Sequence, residues 1–180
     1  RTYGWDAATG GFWYGMVQLF AGLSGMLFGG IVADRLSKRG VHASSVIMVT
    51  LGAGFAVPFS FIYPLVGSPT AALTLRIFAI YGSNMAFACA ASAVQRLFPV
   101  AMLGLAAGIY YFISNAVGIG IGPTLVAGIT DYVFEDASMI RYSLSAVGGG
   151  SRLLAFLLFL AGLKAYRDVM IRLEAEAGES

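Results

Sequence analysis

Four stretches of this sequence hold no charged residue: Ala7–Ala33, Ala43–Leu75, Ile77–Gln95 and Leu97–Thr130. A helix needs about 20 apolar residues to cross the hydrocarbon core of a bilayer, so each stretch is long enough for one crossing. A fifth apolar segment, Tyr142–Ala165, is interrupted by Arg152. None of the five alternates apolar and polar residues as barrel strands do. Helices then remain as the way to satisfy the backbone in lipid. Composition agrees, since 11% of residues are charged where soluble domains hold about a quarter. A disordered chain and a soluble enzyme domain are excluded.

The spans are expected at Phe12–Ala33, Ser44–Leu65, Thr74–Leu97, Ala101–Ile129 and Tyr142–Ala165. The turn signal Gly67-Ser68-Pro69 separates the second from the third, and Pro99 separates the third from the fourth. Asp131–Arg141 is a charged loop before the fifth. Residues 1–167 form the transmembrane bundle, and 168–180 form a polar tail. Seven basic residues fall on one side: Arg35, Lys38, Arg39, Arg96, Lys164, Arg167 and Arg172. Four, Arg1, Arg76, Arg141 and Arg152, fall on the other. The excess marks the first side as cytoplasmic. A multi-pass protein of the cell (inner) membrane, with its C-terminus in the cytoplasm, is expected. Arg1-Thr2-Tyr3-Gly4-Trp5 reads as an extracellular loop entered in mid-chain. We expect the C-terminal part of a longer chain, whose N-terminal half is a partner of these spans.

Small residues and prolines organise the spans. Ala21, Gly25, Gly29 and Ala33 recur every four residues in span one, and Gly11 and Gly15 extend the habit. Span four carries Gly104, Gly108, Tyr111, Asn115, Gly118 and Gly122 on one face. Such spacing lets backbones approach closely, either as static packing or as a surface on which helices slide. Pro58 and Pro123 each remove a helical hydrogen bond. Pro123, preceded by Gly122, is the hinge candidate, and Pro58 a structural kink.

Polar side chains inside a span turn away from lipid. Tyr81, Asn84, Ser92 and Gln95 follow one face of span three, Tyr110, Tyr111 and Asn115 cluster in span four, and Gln18 stands in span one. They either line a cavity or join helices through hydrogen bonds. Arg152 is expected to reach a polar partner or the outer interface from a glycine-loosened helix at Gly148-Gly149-Gly150. No Asp or Glu occurs inside the first four spans, so if protons or ions are coupled, the coupling residue is expected in the N-terminal part that precedes these spans. No phosphate-binding loop and no nucleophile–base set is present, so catalysis is not expected. Cys89 lacks an intrachain partner and reads as a packing residue. His42 and Cys89 alone make no metal site, and no cofactor is expected. A net charge of +2 without a basic face gives no case for nucleic acid.

Gly30-Ile31-Val32-Ala33-Asp34-Arg35-Leu36-Ser37-Lys38-Arg39 resembles the G-x-x-x-D-R-x-G-R-R signature of the major facilitator superfamily. Ser37 stands where glycine is usual, and Lys38 where arginine is. Asn115-Ala116-Val117-Gly118-Ile119-Gly120-Ile121-Gly122-Pro123, with Gly128-Ile129-Thr130-Asp131, is similar to the fifth helix of the second half in that superfamily, and most so to its spinster-like branch. The resemblance implies an all-α integral membrane fold, the five spans being helices eight to twelve of twelve, a partial six-helix bundle. It implies a gating loop of Gly30, Asp34, Arg35, Lys38 and Arg39, in which Gly30 permits helix contact and Asp34 ends the helix. The same residues could instead serve only as a topology signal. It also implies that spans one, three and four line a cavity through Gln18, Tyr81, Asn84, Tyr110, Tyr111 and Asn115, with spans two and five peripheral. The expected function is secondary active transport by alternating access of a small organic or amphipathic solute. The alternative is a non-transporting intramembrane binding or scaffold subunit.

Overall fold

The computed structural model describes residues 6–41, 43–136 and 139–178. Arg1, counted among the basic residues of the outer side, and His42, read as making no metal site, lie outside the described residues. Among the described residues the chain is helical without strands. Its helices are α1 (Ala7–Lys38), α2 (Ser44–Ile62), α3 (Pro69–Gln95), α4 (Leu103–Asn115), α5 (Gly122–Ile129) and α6 (Ile140–Gly178). A 3-10 turn at Val100–Met102 leads into α4, and wide π-helical turns at Ala116–Ile121 and Thr130–Phe134 flank α5. Five segments are long and apolar enough to cross a membrane: Ala8–Lys38, Ser44–Ile62, Pro69–Gln95, Val100–Tyr132 and Ile140–Leu173. This is a membrane-embedded helical protein.

The helix ends have local causes, and several differ from expectation. α1 starts earlier than Phe12 because the Asp6 carboxylate caps it, accepting from the Thr9 N–H at 2.9 Å. It also runs past Asp34, which was expected to end it. The stop comes at Gly40, whose φ of +80° is open to glycine. There the Val41 N–H donates to the Leu36 carbonyl and the Gly40 N–H to the Ser37 carbonyl, a Schellman closure. α3 starts at Pro69 rather than Thr74, since proline at the first helical turn presets φ and lacks only an N–H that would have no partner. α6 absorbs most of the expected polar tail, because Leu173, Glu174, Ala175, Glu176 and Ala177 are good helix formers.

The core lies where α1, α2 and α3 meet: Ala33, Met48, Val49, Met85 and Cys89 are all buried. Glycine makes the approach possible. A Cβ on Gly52 would lie 2.7 Å from the Gly82 carbonyl oxygen, and one on Gly82 would lie 2.8 Å from the Gly52 carbonyl oxygen. On α1, a Cβ on Gly25 would collide with the Tyr81 carbonyl, and one on Gly29 would lie 2.6 Å from Met85. The expected stripe Ala21, Gly25, Gly29, Ala33 is therefore buried, but Gly11 and Gly15 meet nothing within 4 Å. α6 packs on the other side of α2, where Gly149 abuts Phe61 and Gly54 abuts Phe156. The Ser145 hydroxyl donates to the Phe61 carbonyl at 2.7 Å.

The resemblance implied a peripheral span two. In this chain α2 packs against α1, α3 and α6, with Thr50 and Ser60 buried and Leu51, Phe55 and Ile62 exposed. Two of its hydroxyls turn back on their own helix: Thr50 donates to Val46 O at 2.9 Å and Ser60 to Ala56 O at 2.7 Å. Such internal bonds bury these two without external partners, whereas the buried hydroxyls of Ser44 and Ser45 at the start of α2 have no hydrogen-bond partner among the described residues. The segment built from α4 and α5 is largely exposed, with Leu105, Ile109, Phe112 and Ile119 on its surface, and so is α6, with Leu154, Leu157 and Leu158.

Candidate functional site

At one end of the bundle the expected gating loop meets α3. The Arg96 guanidinium, at the C-terminal end of α3, donates to the Ser37 hydroxyl at 3.1 Å and stands 4.0 Å from the Asp34 carboxylate. Among the described residues this is the ion pair. Ser37, the departure from the family pattern, thus supplies an acceptor that glycine could not. Arg35, Lys38 and Arg39 are on the same helix end, Arg35 and Lys38 in its last turn. Basic residues there oppose the negative end of the helix dipole. Gly30 does not do what was expected of it: a Cβ at this position meets nothing within 4 Å. The close contact is made one residue earlier, at Gly29, because that residue continues the four-residue stripe.

The six cavity candidates are not brought into one enclosed space. Tyr81 and Asn84 face α1 and α2. The Tyr81 ring lies 6.0 Å from Phe28 and 6.5 Å from Phe55, and Asn84 packs beside Gly22 while donating to Ile80 O at 2.9 Å. Tyr110 and Tyr111 instead both pack on Phe87, each 5.8 Å away. The Tyr110 hydroxyl donates to the Phe87 carbonyl at 3.3 Å. Asn115 is exposed and donates to Tyr111 O of its own helix at 2.7 Å. Gln18 is exposed on α1. Tyr110 alone of the six lines a described cavity, an apolar one of about 420 Å³ bounded also by Val49, Ala93, Leu158 and Tyr166. At the hinge candidate, the wide turn Ala116–Ile121 ends at Gly122 and Pro123 opens α5. The missing N–H of Pro123, with Gly118 and Gly120 in the preceding turn and Gly122 beside it, loosens the i→i−4 ladder.

At the opposite end of α3, sequence reasoning missed an aromatic clamp. The Arg76 guanidinium lies over the Tyr14 ring at 4.2 Å and the Tyr63 ring at 4.9 Å, and donates to the Tyr14 hydroxyl. Its Nε is buried without a hydrogen-bond partner. Arg152 finds its polar partner two turns along α3 from Arg76. Its Nε donates to the Ser83 hydroxyl at 2.9 Å, and another of its nitrogens donates to Gly148 O at 2.9 Å within an unbroken α6. The seven-residue step from Arg76 to Ser83, two helical turns, was the available signal.

No family model matches this chain, and neither does any curated protein or solved structure. Among the described residues no group of His, Cys, Asp and Glu gathers to hold a metal ion. The chain presents a polar tie at one end of α1 and α3, a cation–aromatic cluster at the other, and a loosened fourth span beside Phe87.

Proposed function

We propose that this chain is most of the C-terminal bundle of a secondary active transporter of the major facilitator type, moving a small organic or amphipathic solute by alternating access. The observation that carries this reading is the Asp34–Ser37–Arg96 tie. It joins the residues of the family-like loop to the end of another span, which a mere topology signal does not require. Two further features support it. The fourth span is interrupted at the expected hinge, and its glycine-bearing face, with Tyr111 and Asn115, is open for a second bundle. Discontinuous helices and exposed small-residue faces suit a bundle that rocks against another. In this reading the Asp34 loop and the C-terminus are cytoplasmic, and Asp131–Arg141 is outside. The same exposed face would serve a scaffold subunit that only assembles with partners, but such a subunit has no use for a breakable polar tie.

The test is transport by the full-length protein in vesicles. Asp34→Asn keeps the side-chain shape and loses the charge facing Arg96, so transport should fall about tenfold at equal membrane abundance. Unchanged transport would reduce the loop to a topology signal.

A further inference from the structure

We propose that the cavity at the Arg76 end of the bundle binds an anionic amphipath, a phosphate or carboxylate head group on a hydrocarbon chain, at a site separate from the polar residues assigned to transport. The cavity measures about 470 Å³, within the range of small-molecule sites. Arg76, Arg141, Tyr14 and Tyr63 form part of its wall, and Gln18, Tyr81, Asn84, Tyr110, Tyr111 and Asn115 do not.

The head-group half of the argument is electrostatic. Arg76 is held between two tyrosine rings with its buried Nε unpaired. Arg152 stands within electrostatic reach of it and of both tyrosines, and hydrogen-bonds only to neutral oxygens, those of Ser83 and Gly148. Among the described residues no carboxylate pairs with Arg76, Arg141 or Arg152. Arg76 and Arg152 repel one another in a poorly solvated region, and the tyrosine rings and neutral oxygens around them offset only part of the cost of drying two cations. One bound anion offsets both. A guanidinium presents paired N–H donors that match the oxygens of a phosphate or carboxylate.

The chain half of the argument is shape. The rest of the wall includes Pro64, Ala72, Leu73, Ile140 and Leu144. A free inorganic anion would satisfy the arginines and leave this apolar wall uncovered. A hydrocarbon chain buries it, gaining about 25 cal/mol for each Å² removed from water.

The test uses the purified full-length protein in nanodiscs of phosphatidylcholine, with binding followed by native mass spectrometry and by thermal shift. The probes are lysophosphatidic acid, lysophosphatidylcholine of the same chain length, and inorganic phosphate. Lysophosphatidic acid should bind about tenfold or more tightly than the zwitterionic lipid. Arg76→Gln should remove most of that preference, and Arg76→Lys should keep part of it. If Arg76→Gln does not fold, Arg141→Gln, an exposed position, supports the proposal by a smaller loss of the same preference. Equal affinity for the two lysolipids overturns it, as does wild-type binding by every folded arginine variant. Phosphate binding as tightly as lysophosphatidic acid overturns the amphipath assignment. Asp34→Asn should leave this binding unchanged, so failure of the transport reading and failure of this site are separable.

Discussion

Two sets of glycines in this chain share a spacing habit and meet opposite surroundings. Gly25, Gly29, Gly52 and Gly82 sit where any added Cβ would collide with a neighbouring helix. Gly104, Gly108, Gly118 and Gly122 meet nothing within 4 Å. The first set closes α1, α2 and α3 into a bundle. The second lies along α4 and the turns around α5, beside exposed Leu105, Ile109 and Phe112. Small residues at helical spacing therefore specify a smooth face, and the neighbour decides whether that face becomes a contact. The covered face tolerates no added atom, and the open one has room for a partner surface.

The comparison is most exposed to a matched pair of substitutions. Gly25→Leu drives a side chain into the α3 backbone at Tyr81 and should cost about 3 kcal/mol or more, seen as a large fall in melting temperature in detergent. Gly108→Leu should change stability by less than about 0.5 kcal/mol. Equal losses would break the distinction between the two faces.

An intermediate effect is expected at Ser83→Ala, inside the covered region. It removes the 2.9 Å acceptor of Arg152 and leaves a half-buried cation short of a partner, costing about 1–3 kcal/mol. Ser151→Ala, on the exposed side of α6, is the control and should melt like wild type.

Gly108→Ala should go the other way. With open space at the Cβ position, alanine should stabilise α4 by about 0.5–1 kcal/mol. A destabilisation measured for the isolated chain would mean that this face is covered after all.

The smallest effect lies at the tip of α1, beyond its packed stripe. Hydrogen bonds from Thr9, side chain first and backbone second, hold the Asp6 carboxyl below the usual carboxylate range. A lowered folded value means that the cap stabilises above the unfolded value of about 3.9. That contribution fades as pH falls through the lower folded value. The Thr9 amide resonance should therefore titrate with a midpoint below about 3.9, and a midpoint above it would remove the cap from the account.

Much of the architecture was legible because its cause is local. Charge-free runs located four spans and an apolar segment interrupted by Arg152 the fifth, and the Ala21–Ala33 stripe located the face of α1 that packs. Helix ends were less legible. Asp34 looked like a stop, yet the stop depends on the positive φ of Gly40. The candidate site was legible only in pieces. Arg152 stood out as a cation in need of a partner, but Arg76 did not, and the rings of Tyr14 and Tyr63 that flank it come from α1 and from beyond α2. No spacing along one helix connects them.

The sequence by itself determined that this chain is helical and lies in a membrane. Long uncharged segments leave the backbone no other way to satisfy its hydrogen bonds in lipid. Only the tertiary structure decided which glycines are filled, that α2 packs against α1, α3 and α6, and that Arg96 meets Asp34 and Ser37. Those outcomes depend on which helix lies beside which. Van der Waals contact and hydrogen bonding act over a few ångströms between residues far apart in the chain, where periodicity carries no information.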